Sequence, residues 1–186
     1  MKKVTYVTGN LAKITSARQV LEPLGFEVEQ VKIETPELQN DSIEEIAKYS
    51  AKWASEELKC NVIKNDSGLC IEALNGFPGP FVKYINGMLS SEEILKLMEN
   101  KTDRTIFLKE CLTYATPTGE IKQFINEEKA SIALNVYGTG SAFDRIVIFE
   151  GQEMPKSMNS DEENLEHFKK SLKIYEDMAE YLKNLI

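Results

Sequence analysis

The start of the chain most tightly constrains the fold, because a β-rich run ends abruptly in a turn that opens a helix. The segment VTYV, residues 4–7, has the β-branched and aromatic residues typical of a strand. The segment TGNLAK, residues 8–13, follows it, and Pro23 and Gly25 end the helical pattern that comes next. The apolar residues of that pattern are Leu11, Ile14, Ala17, Leu21 and Leu24. The chain therefore begins with a strand–turn–helix unit.

The rest of the chain mixes units of this kind with hairpins. Alternating polarity predicts a second strand at residues 26–33. Capping boxes predict helices after Ser42, Ser90 and Ser160, and the last helix is expected to be long, with one apolar stripe from Leu165 to Ile186. Antiparallel strands are expected at residues 105–115, 121–126 and 130–136. The order predicts an α/β fold with an elongated mixed β-sheet and flanking helices.

Composition and charge indicate an ordinary globular protein. A chain of 186 residues, 42% of them hydrophobic and 28% charged, is expected to form a single domain over residues 1–186. The formal net charge of −8 disfavours nucleic acid and anionic membranes as partners. The three cysteines lack CxxC spacing, and no apolar run approaches the roughly 20 residues that span a bilayer. We therefore expect a cytoplasmic protein with reduced thiols.

The TGNLAK corner has the features of an anion-binding site. Gly9 allows backbone amides to point outward, Asn10 can cap the helix, and Lys13 adds a cation to its first turn. Such a helix start binds phosphate groups well. The same residues also fit an ordinary strand-to-helix corner, so this stretch alone leaves both readings open.

A second candidate is Asp66 in the segment NDSGLCIEAL. Asp66 is expected to end a strand, with Ser67 and Gly68 in a tight turn, where a carboxylate is costly to bury without a partner. That partner is either a divalent cation shared with Glu37 of PELQ or a water molecule that Asp66 deprotonates. Alternatively, Asp66 merely starts a turn and Glu37 is a solvated loop acid.

Several motifs occur in one order along nearly the whole chain. They are TGN-x-x-K, PE-x-Q, DSGL-x-x-x-ALNG-x-PGP, the F-D of SAFD, and KS followed by a helical histidine. In these motifs the sequence resembles the inosine/xanthosine triphosphate pyrophosphatase family. Its members hydrolyse non-standard purine nucleoside triphosphates, such as ITP, dITP and XTP, to the monophosphate and pyrophosphate.

The resemblance implies a Mg²⁺-dependent hydrolase and assigns roles to individual residues. It implies phosphate binding by Thr8, Asn10 and Lys13, and catalysis with metal binding by Glu37 and Asp66, where Asp66 activates water. The further substrate-binding residues that it implies are Ser67, Gly68, Lys83, Phe143, Asp144 and His167. In fold it implies two lobes with an active-site cleft between them, and it implies a homodimer.

Four positions depart from the family pattern. Ser50 and Glu163 stand where many members have lysine, Phe168 stands where they have arginine, and the ring that commonly stacks on the base is replaced near Ser141. Base preference is therefore open, as is the choice between ribose and deoxyribose. Two alternatives remain: a related Maf-type nucleotide pyrophosphatase with a different base preference, or a nucleotide-binding homologue that has lost catalysis.

Overall fold

Strands and helices are interleaved along the computed structural model of the chain, which describes residues 2–36 and 38–185. The strands are β1 Lys2–Val7, β2 Phe26–Val31, β3 Val62–Ile71, β4 Pro78–Gly79, β5 Thr105–Ala115, β6 Ile121–Ile132 and β7 Val147–Phe149. The α-helices are α1 Leu11–Leu21, α2 Ile43–Leu58, α3 Val82–Met88, α4 Ser91–Leu97, α5 Asp161–Ser171 and α6 Lys173–Asn184. None of these helices has the length and hydropathy needed to cross a membrane.

Over residues 2–36 and 38–185 the strands form one seven-stranded sheet in the order β2-β1-β3-β5-β6-β7, with β4 paired to β3. Strand β1 is parallel to β2 and to β3, with Tyr6 opposite Ile63 in the second pair. The pairs β3–β4 and β6–β7 are antiparallel. The predicted α/β fold with a mixed sheet and flanking helices is therefore confirmed.

The chain divides into two compact units. Unit 1 comprises Met1–Asp66, Glu110–Asn126 and Lys170–Ile186, and unit 2 comprises Ser67–Lys109 and Glu127–Lys169. Strands β3, β5 and β6 each contribute residues to both units. The single domain over residues 1–186 and the cleft stay predictions.

In unit 1, helices cover both faces of the strands. Successive residues of a strand point to opposite faces, and Tyr6 and Ile63 lie in one core cluster whereas Val7 and Val62 lie in another. The first cluster receives the buried residues of α1 and α6, which are Ile14, Ala17, Leu21, Ile174, Tyr175, Met178, Ala179 and Leu182. The second cluster receives Ala51 and Ala54 of α2. Because of this arrangement, Asn65 and Asp66, which are adjacent in β3, point to opposite faces of the sheet.

Unit 2 has its own core. It is formed by Leu69 and Ile71 of β3, Ile94 of α4 and residues of the later strands and loops, which are Met98, Ile106, Ala130, Ile132, Ala142, Phe143, Ile146, Val147 and Phe149. The predicted capping box at Ser90 is present, because Ser90 and Glu93 exchange hydrogen bonds at the start of α4. Helix α4 therefore begins where the sequence predicts.

Two strand boundaries were predicted wrongly. Strand β3 does not end at Asp66 but continues through Ser67 and Gly68 to Ile71, where Leu69 pairs with Gly79 of β4. Strand β6 is one strand over Ile121–Ile132 rather than two. In both places a polar run predicts a turn, although polar residues remain in a strand when the ladder satisfies their backbone groups.

The predicted long C-terminal helix is also wrong in part. Ser160 and Glu163 do form the predicted cap, since the Glu163 carboxylate accepts from the Ser160 amide at 2.8 Å. However, α5 ends at Ser171 and α6 begins at Lys173, and Leu165 in α5 is 51% exposed. The α5 segment DEENLEHFKKS has only two large apolar residues, so it has no apolar stripe to bury. Of the two C-terminal helices, only α6 carries a buried apolar stripe.

Shortening the Met178 side chain of α6, which lies in the unit 1 core, is expected to destabilise the protein. Met178 is completely buried there, and a Met178→Ala substitution leaves a cavity that costs about 2–5 kcal/mol of the free energy of unfolding. Leu165→Ala is the matched control, because the exposed Leu165 side chain contributes little. Urea unfolding of both variants tests this, and equal midpoints would contradict the assignment of α6 to the core.

Candidate active site

The TGNLAK corner, residues 8–13, links β1 to α1 and has the predicted cap. Asn10 Oδ1 accepts from the backbone amides of Ala12 at 2.9 Å and Lys13 at 3.3 Å. Thr8 supports the turn, since its Oγ1 accepts from the Asn10 amide at 3.1 Å. The first turn of α1 carries no acidic residue, so no side chain there neutralises the positive end of the helix dipole. The corner is therefore suited to bind an anion.

Lys13 extends from this corner to strand β3. Its Nζ donates to the backbone oxygen of Asn65 at 2.8 Å and to Asn65 Oδ1 at 3.4 Å. Burial lowers the pKa of the Lys13 ammonium, the carboxylates of Asp66 and Glu110 oppose that shift, and the charge of Lys64 adds to it. A cation is thus held inside unit 1, directly behind the anion-binding corner and close to two carboxylates.

Asp66 presents an unsatisfied oxygen at the same place. Its Oδ2 atom is buried and accepts no hydrogen bond from any residue in 2–36 or 38–185. A buried carboxylate oxygen without a partner is costly, and such an atom fits a water molecule or an oxygen-preferring cation. The expected partner of Asp66, a cation or a water molecule, stays a prediction, and Asp66 lies within a strand and not at its end.

The loop that precedes α2 is attached to β3 near Asp66. Lys64 Nζ donates to Thr35 Oγ1 at 2.8 Å, and by strand alternation Lys64 and Asp66 share one face while Asn65 is on the other. Glu37, the predicted metal ligand and catalytic partner of Asp66, lies outside the described residues. Among those that are described, no group of three His, Cys, Asp or Glu side chains is arranged to hold a metal ion.

A buried polar cluster lies on the α2 side of the sheet. Gln123 Nε2 donates to the Glu44 backbone oxygen at 2.8 Å and to Thr113 Oγ1 at 3.1 Å, and it lies 3.2 Å from Cys111 Sγ. Burial raises the pKa of the Cys111 thiol to about 11, and the charges of Glu44 and Asp66 add to this. Cys111 is therefore a protonated thiol at neutral pH and is not suited to nucleophilic chemistry.

Phe143 and Asp144 lie in unit 2. Phe143 is only 4% exposed and packs in the unit 2 core. Asp144 accepts from Lys156 Nζ at 2.8 Å and from Ser141 Oγ at 2.8 Å. Burial acts to raise the pKa of Asp144, but the hydrogen bonds from Lys156 and Ser141 outweigh it and lower the pKa. Asp144 is thus an ionised carboxylate with a cation at its side.

His167 is also in unit 2, on α5. Its Nδ1 lies 3.1 Å from Glu128 Oε1, and its ring stacks on Phe149 with centroids 3.5 Å apart. Lys83 is exposed on α3, and in β3 Ser67 is exposed whereas Gly68 is buried. The contacts of these residues with a nucleotide stay predictions. In unit 1, Lys13 contacts β3 at Asn65, the residue before Asp66, and Thr8 and Asn10 lie in the same corner as Lys13.

The positions that depart from the family pattern have roles of their own. Ser50 is 3% exposed in α2. Ser141 donates to Asp144, and Glu163 caps α5. Phe168 is half-buried in α5. Ser141 and Glu163 therefore make local hydrogen bonds at positions where the family pattern has other residue types.

Sequence reasoning missed three residues of the unit 1 site. Lys64 and Asn65 directly precede Asp66, and recognition of β3 as a continuous strand would have placed them on its two faces. Glu110 is the third, and its position in a predicted strand gave no signal that it faces Lys13. In unit 2, Lys156 belongs to the quoted KS motif but received no role.

The burial of Cys111 makes a simple prediction about thiol chemistry. With a pKa of about 11, about one thiol in a thousand is ionised at pH 8, and the side chain is 1% exposed. Iodoacetamide at pH 8 is therefore expected to leave Cys111 unmodified in the folded protein and to alkylate it in guanidinium chloride. Peptide mass spectrometry measures this, and rapid alkylation of the folded protein would contradict the assignment.

Comparison with known proteins agrees with this fold. A sequence profile of the Ham1 family matches residues 4–174. The dITP/XTP pyrophosphatase of Methanopyrus kandleri is 41% identical over 185 residues, which cover 98% of this chain and 97% of that protein. The dITP/XTP pyrophosphatase of Methanosarcina acetivorans is 34% identical, with 92% of this chain and 94% of that protein covered.

Solved structures share the fold at lower sequence identity. The Staphylococcus aureus Ham1 protein superposes with a TM-score of 0.80 at 23% identity and covers the whole of both chains. A nucleoside-triphosphatase / dITP/XTP pyrophosphatase from Mycobacterium abscessus has a TM-score of 0.76 at 22% identity, with 92% of this chain and 97% of that chain covered. From the profile match and the relatives above, the chain belongs to the Ham1 family.

Proposed function

We propose that this protein hydrolyses non-standard purine nucleoside triphosphates, such as dITP, ITP and XTP, to the nucleoside monophosphate and pyrophosphate. The observation that carries the proposal is the Lys13 ammonium held behind the TGNLAK corner, close to Asp66 with its buried, unpartnered oxygen. Relatives that match nearly the whole chain and are named dITP/XTP pyrophosphatase support the substrate class.

The corner and Lys13 bind the polyphosphate. Backbone amides at the start of α1 and the Lys13 ammonium supply positive charge where the chain as a whole carries a net charge of −8. This local charge is needed because the protein otherwise repels a triphosphate. Thr8 and Asn10 fix the turn, so the helix end is in place before the substrate arrives.

Asp66 acts as the general base. A water molecule beside Asp66 Oδ2 gives its proton to the carboxylate as its oxygen forms a bond to the α-phosphorus. The bond between the α-phosphorus and the bridging oxygen breaks, and pyrophosphate leaves with that oxygen and the electron pair. Lys13 stabilises the charge that develops on the phosphates.

We propose that Glu37 and Asp66 bind Mg²⁺. Such a cation prefers carboxylate and phosphate oxygens, and both side chains can supply carboxylate oxygens while Asp66 Oδ2 stays available to the attacking water. When bound, such an ion neutralises negative charge on the phosphate oxygens. From the spacing of the cysteines we further propose a cytoplasmic location. From the family resemblance we propose a homodimer, which sedimentation velocity tests.

Removal of the proposed base is expected to slow turnover without unfolding the protein. Asp66→Asn should lower kcat by a factor of about 10²–10⁴, because the amide cannot accept the proton of the attacking water. Glu99→Gln is the matched control, since Glu99 is an exposed acid outside the site. Pyrophosphate release and circular dichroism are measured on both, and unchanged kcat in Asp66→Asn would exclude the role.

A substrate panel tests the proposed activity itself. Pyrophosphate release from dITP, ITP and XTP is expected to exceed that from ATP, GTP, CTP and UTP at equal concentrations. With EDTA in place of Mg²⁺ the release should fall to background, because the phosphate charge is then no longer neutralised. A preference for a pyrimidine nucleotide would favour the Maf-type alternative. Nucleotide binding without pyrophosphate release would favour a homologue that has lost catalysis.

A further inference from the structure

Lys64 of β3 lies at the candidate site but has no part in the proposed reaction. Strand β1 is parallel to β3, with Tyr6 opposite Ile63, so Lys64 follows at the level of Val7, the last residue of β1. The TGNLAK corner begins with the next residue after Val7, and neighbouring strands lie about 4.8 Å apart. The backbone of Lys64 is therefore beside the corner that is proposed to bind the phosphates.

The ammonium group of Lys64 is directed to the carboxyl-terminal edge of the same strands. Its Nζ donates to Thr35 Oγ1 at 2.8 Å, and Thr35 lies in the loop after β2. That loop leaves the sheet beside the corner, because β1 and β2 are parallel and end together at Val7 and Val31. Ligands of α/β sheets bind at this edge of their parallel strands. The Lys64 ammonium is thus held where a phosphate ligand is expected.

Lys64 and Asp66 share the face of β3 that α2 covers. Val62 lies in one core cluster with Ala51 and Ala54 of α2. Lys64 and Asp66 follow Val62 in steps of two residues, each about 6.6 Å along the strand, so all three side chains point to the same face. Lys64 is therefore a cation next to the proposed general base and on the same face of the sheet.

Helix α2 brings no cation of its own to this face. Its two lysines are exposed and pair within the helix, Lys48 with Glu45 and Lys52 with Glu56. Its buried positions hold small or apolar residues, which are Ile43, Ala47, Ser50, Ala51, Ala54 and Ser55. Within α2 and β3, both of which are described throughout, Lys64 is therefore the only basic residue on the packed faces.

Two ammonium side chains meet β3 at consecutive residues. Lys13 Nζ donates to the backbone oxygen of Asn65 at 2.8 Å, and Lys64 is the residue before Asn65. Burial lowers the pKa of the Lys13 ammonium, and the positive charge of Lys64 lowers it further, as expected for like charges that lie close together. A polyanion that binds both ammonium groups relieves their repulsion.

We propose that Lys64 is a second substrate-binding cation, whose ammonium group binds the triphosphate on the Asp66 side of β3 while Lys13 binds it from the TGNLAK corner. The inference rests on the proposed function, in which Lys13 binds the substrate phosphates. The hydrogen bond to Thr35 holds the Lys64 ammonium at the carboxyl-terminal edge before the substrate arrives. A second local cation matters because a chain with a net charge of −8 otherwise repels a triphosphate.

The first test compares lysine substitutions that change the net charge equally. Lys64→Met is expected to raise KM for dITP roughly 10- to 100-fold with a smaller change in kcat, because a charge-assisted hydrogen bond to phosphate is lost. Lys64→Arg keeps the charge and should stay within about threefold of the wild type. Lys59→Met is the matched control, since Lys59 is exposed and precedes the amino end of β3. Equal KM values in Lys64→Met and Lys59→Met would overturn the proposal.

Thr35→Val separates phosphate binding from a purely structural role of Lys64. This substitution removes the hydrogen bond between the loop and β3 but keeps the Lys64 ammonium. We expect it to raise KM by less than about threefold, because the cation is still present. If Lys64 acted only by holding the loop, Thr35→Val and Lys64→Met would raise KM equally, and the proposal would be wrong.

A binding measurement separates this inference from the proposed reaction. The affinity for inorganic tripolyphosphate, measured by calorimetry without Mg²⁺, depends on the phosphate-binding groups and not on turnover. Lys64→Met is expected to weaken it roughly 10-fold or more, and Lys59→Met is not. If the wild type releases no pyrophosphate from dITP or XTP, the reaction is refuted and this affinity decides the inference alone. Unchanged affinity in Lys64→Met, or no tripolyphosphate binding by the wild type, would then overturn it.

Discussion

Burial of the Lys13 ammonium is the interaction on which the rest of the site depends. Removing a charged group from water is costly, and here the cost is offset by carbonyl oxygens of Asn65 and by the carboxylates of Asp66 and Glu110. An anionic ligand at the corner would add a further favourable charge. The site is therefore most stable when a polyanion occupies it, which connects the energetics of the fold with the proposed chemistry.

The sheet provides this arrangement because it is covered on both faces in unit 1. Helices α1 and α6 pack on one face and α2 on the other, so adjacent residues of β3 enter different environments. Asn65 faces the tyrosines of the first core cluster, whereas Lys64 and Asp66 share the opposite direction. Lys64, Asn65 and Asp66 can thus contribute to one site from both faces of β3.

Much of this could be predicted from the sequence, and the failures have physical causes. The strand-to-helix corner, the Asn10 cap and the capping boxes at Ser90 and Ser160 depend on local rules, and the structure confirms them. The course of β3 through Asp66 depends on pairing with strands distant in sequence, which local patterns do not report. The contact of Lys13 with Asn65 is equally hidden, because local patterns place Lys13 in the first turn of a helix but do not report which strand residue accepts from it.

The cap at the start of α5 has a consequence for protein engineering. Many family members place lysine where this chain has Glu163, and that carboxylate accepts from both the amide and the hydroxyl of Ser160. Lysine at this position would delete an acceptor for two donors and put a positive charge at the positive end of a helix. Such a substitution is therefore expected to weaken the start of α5, although the Ser160 hydroxyl can still accept from the residue 163 amide.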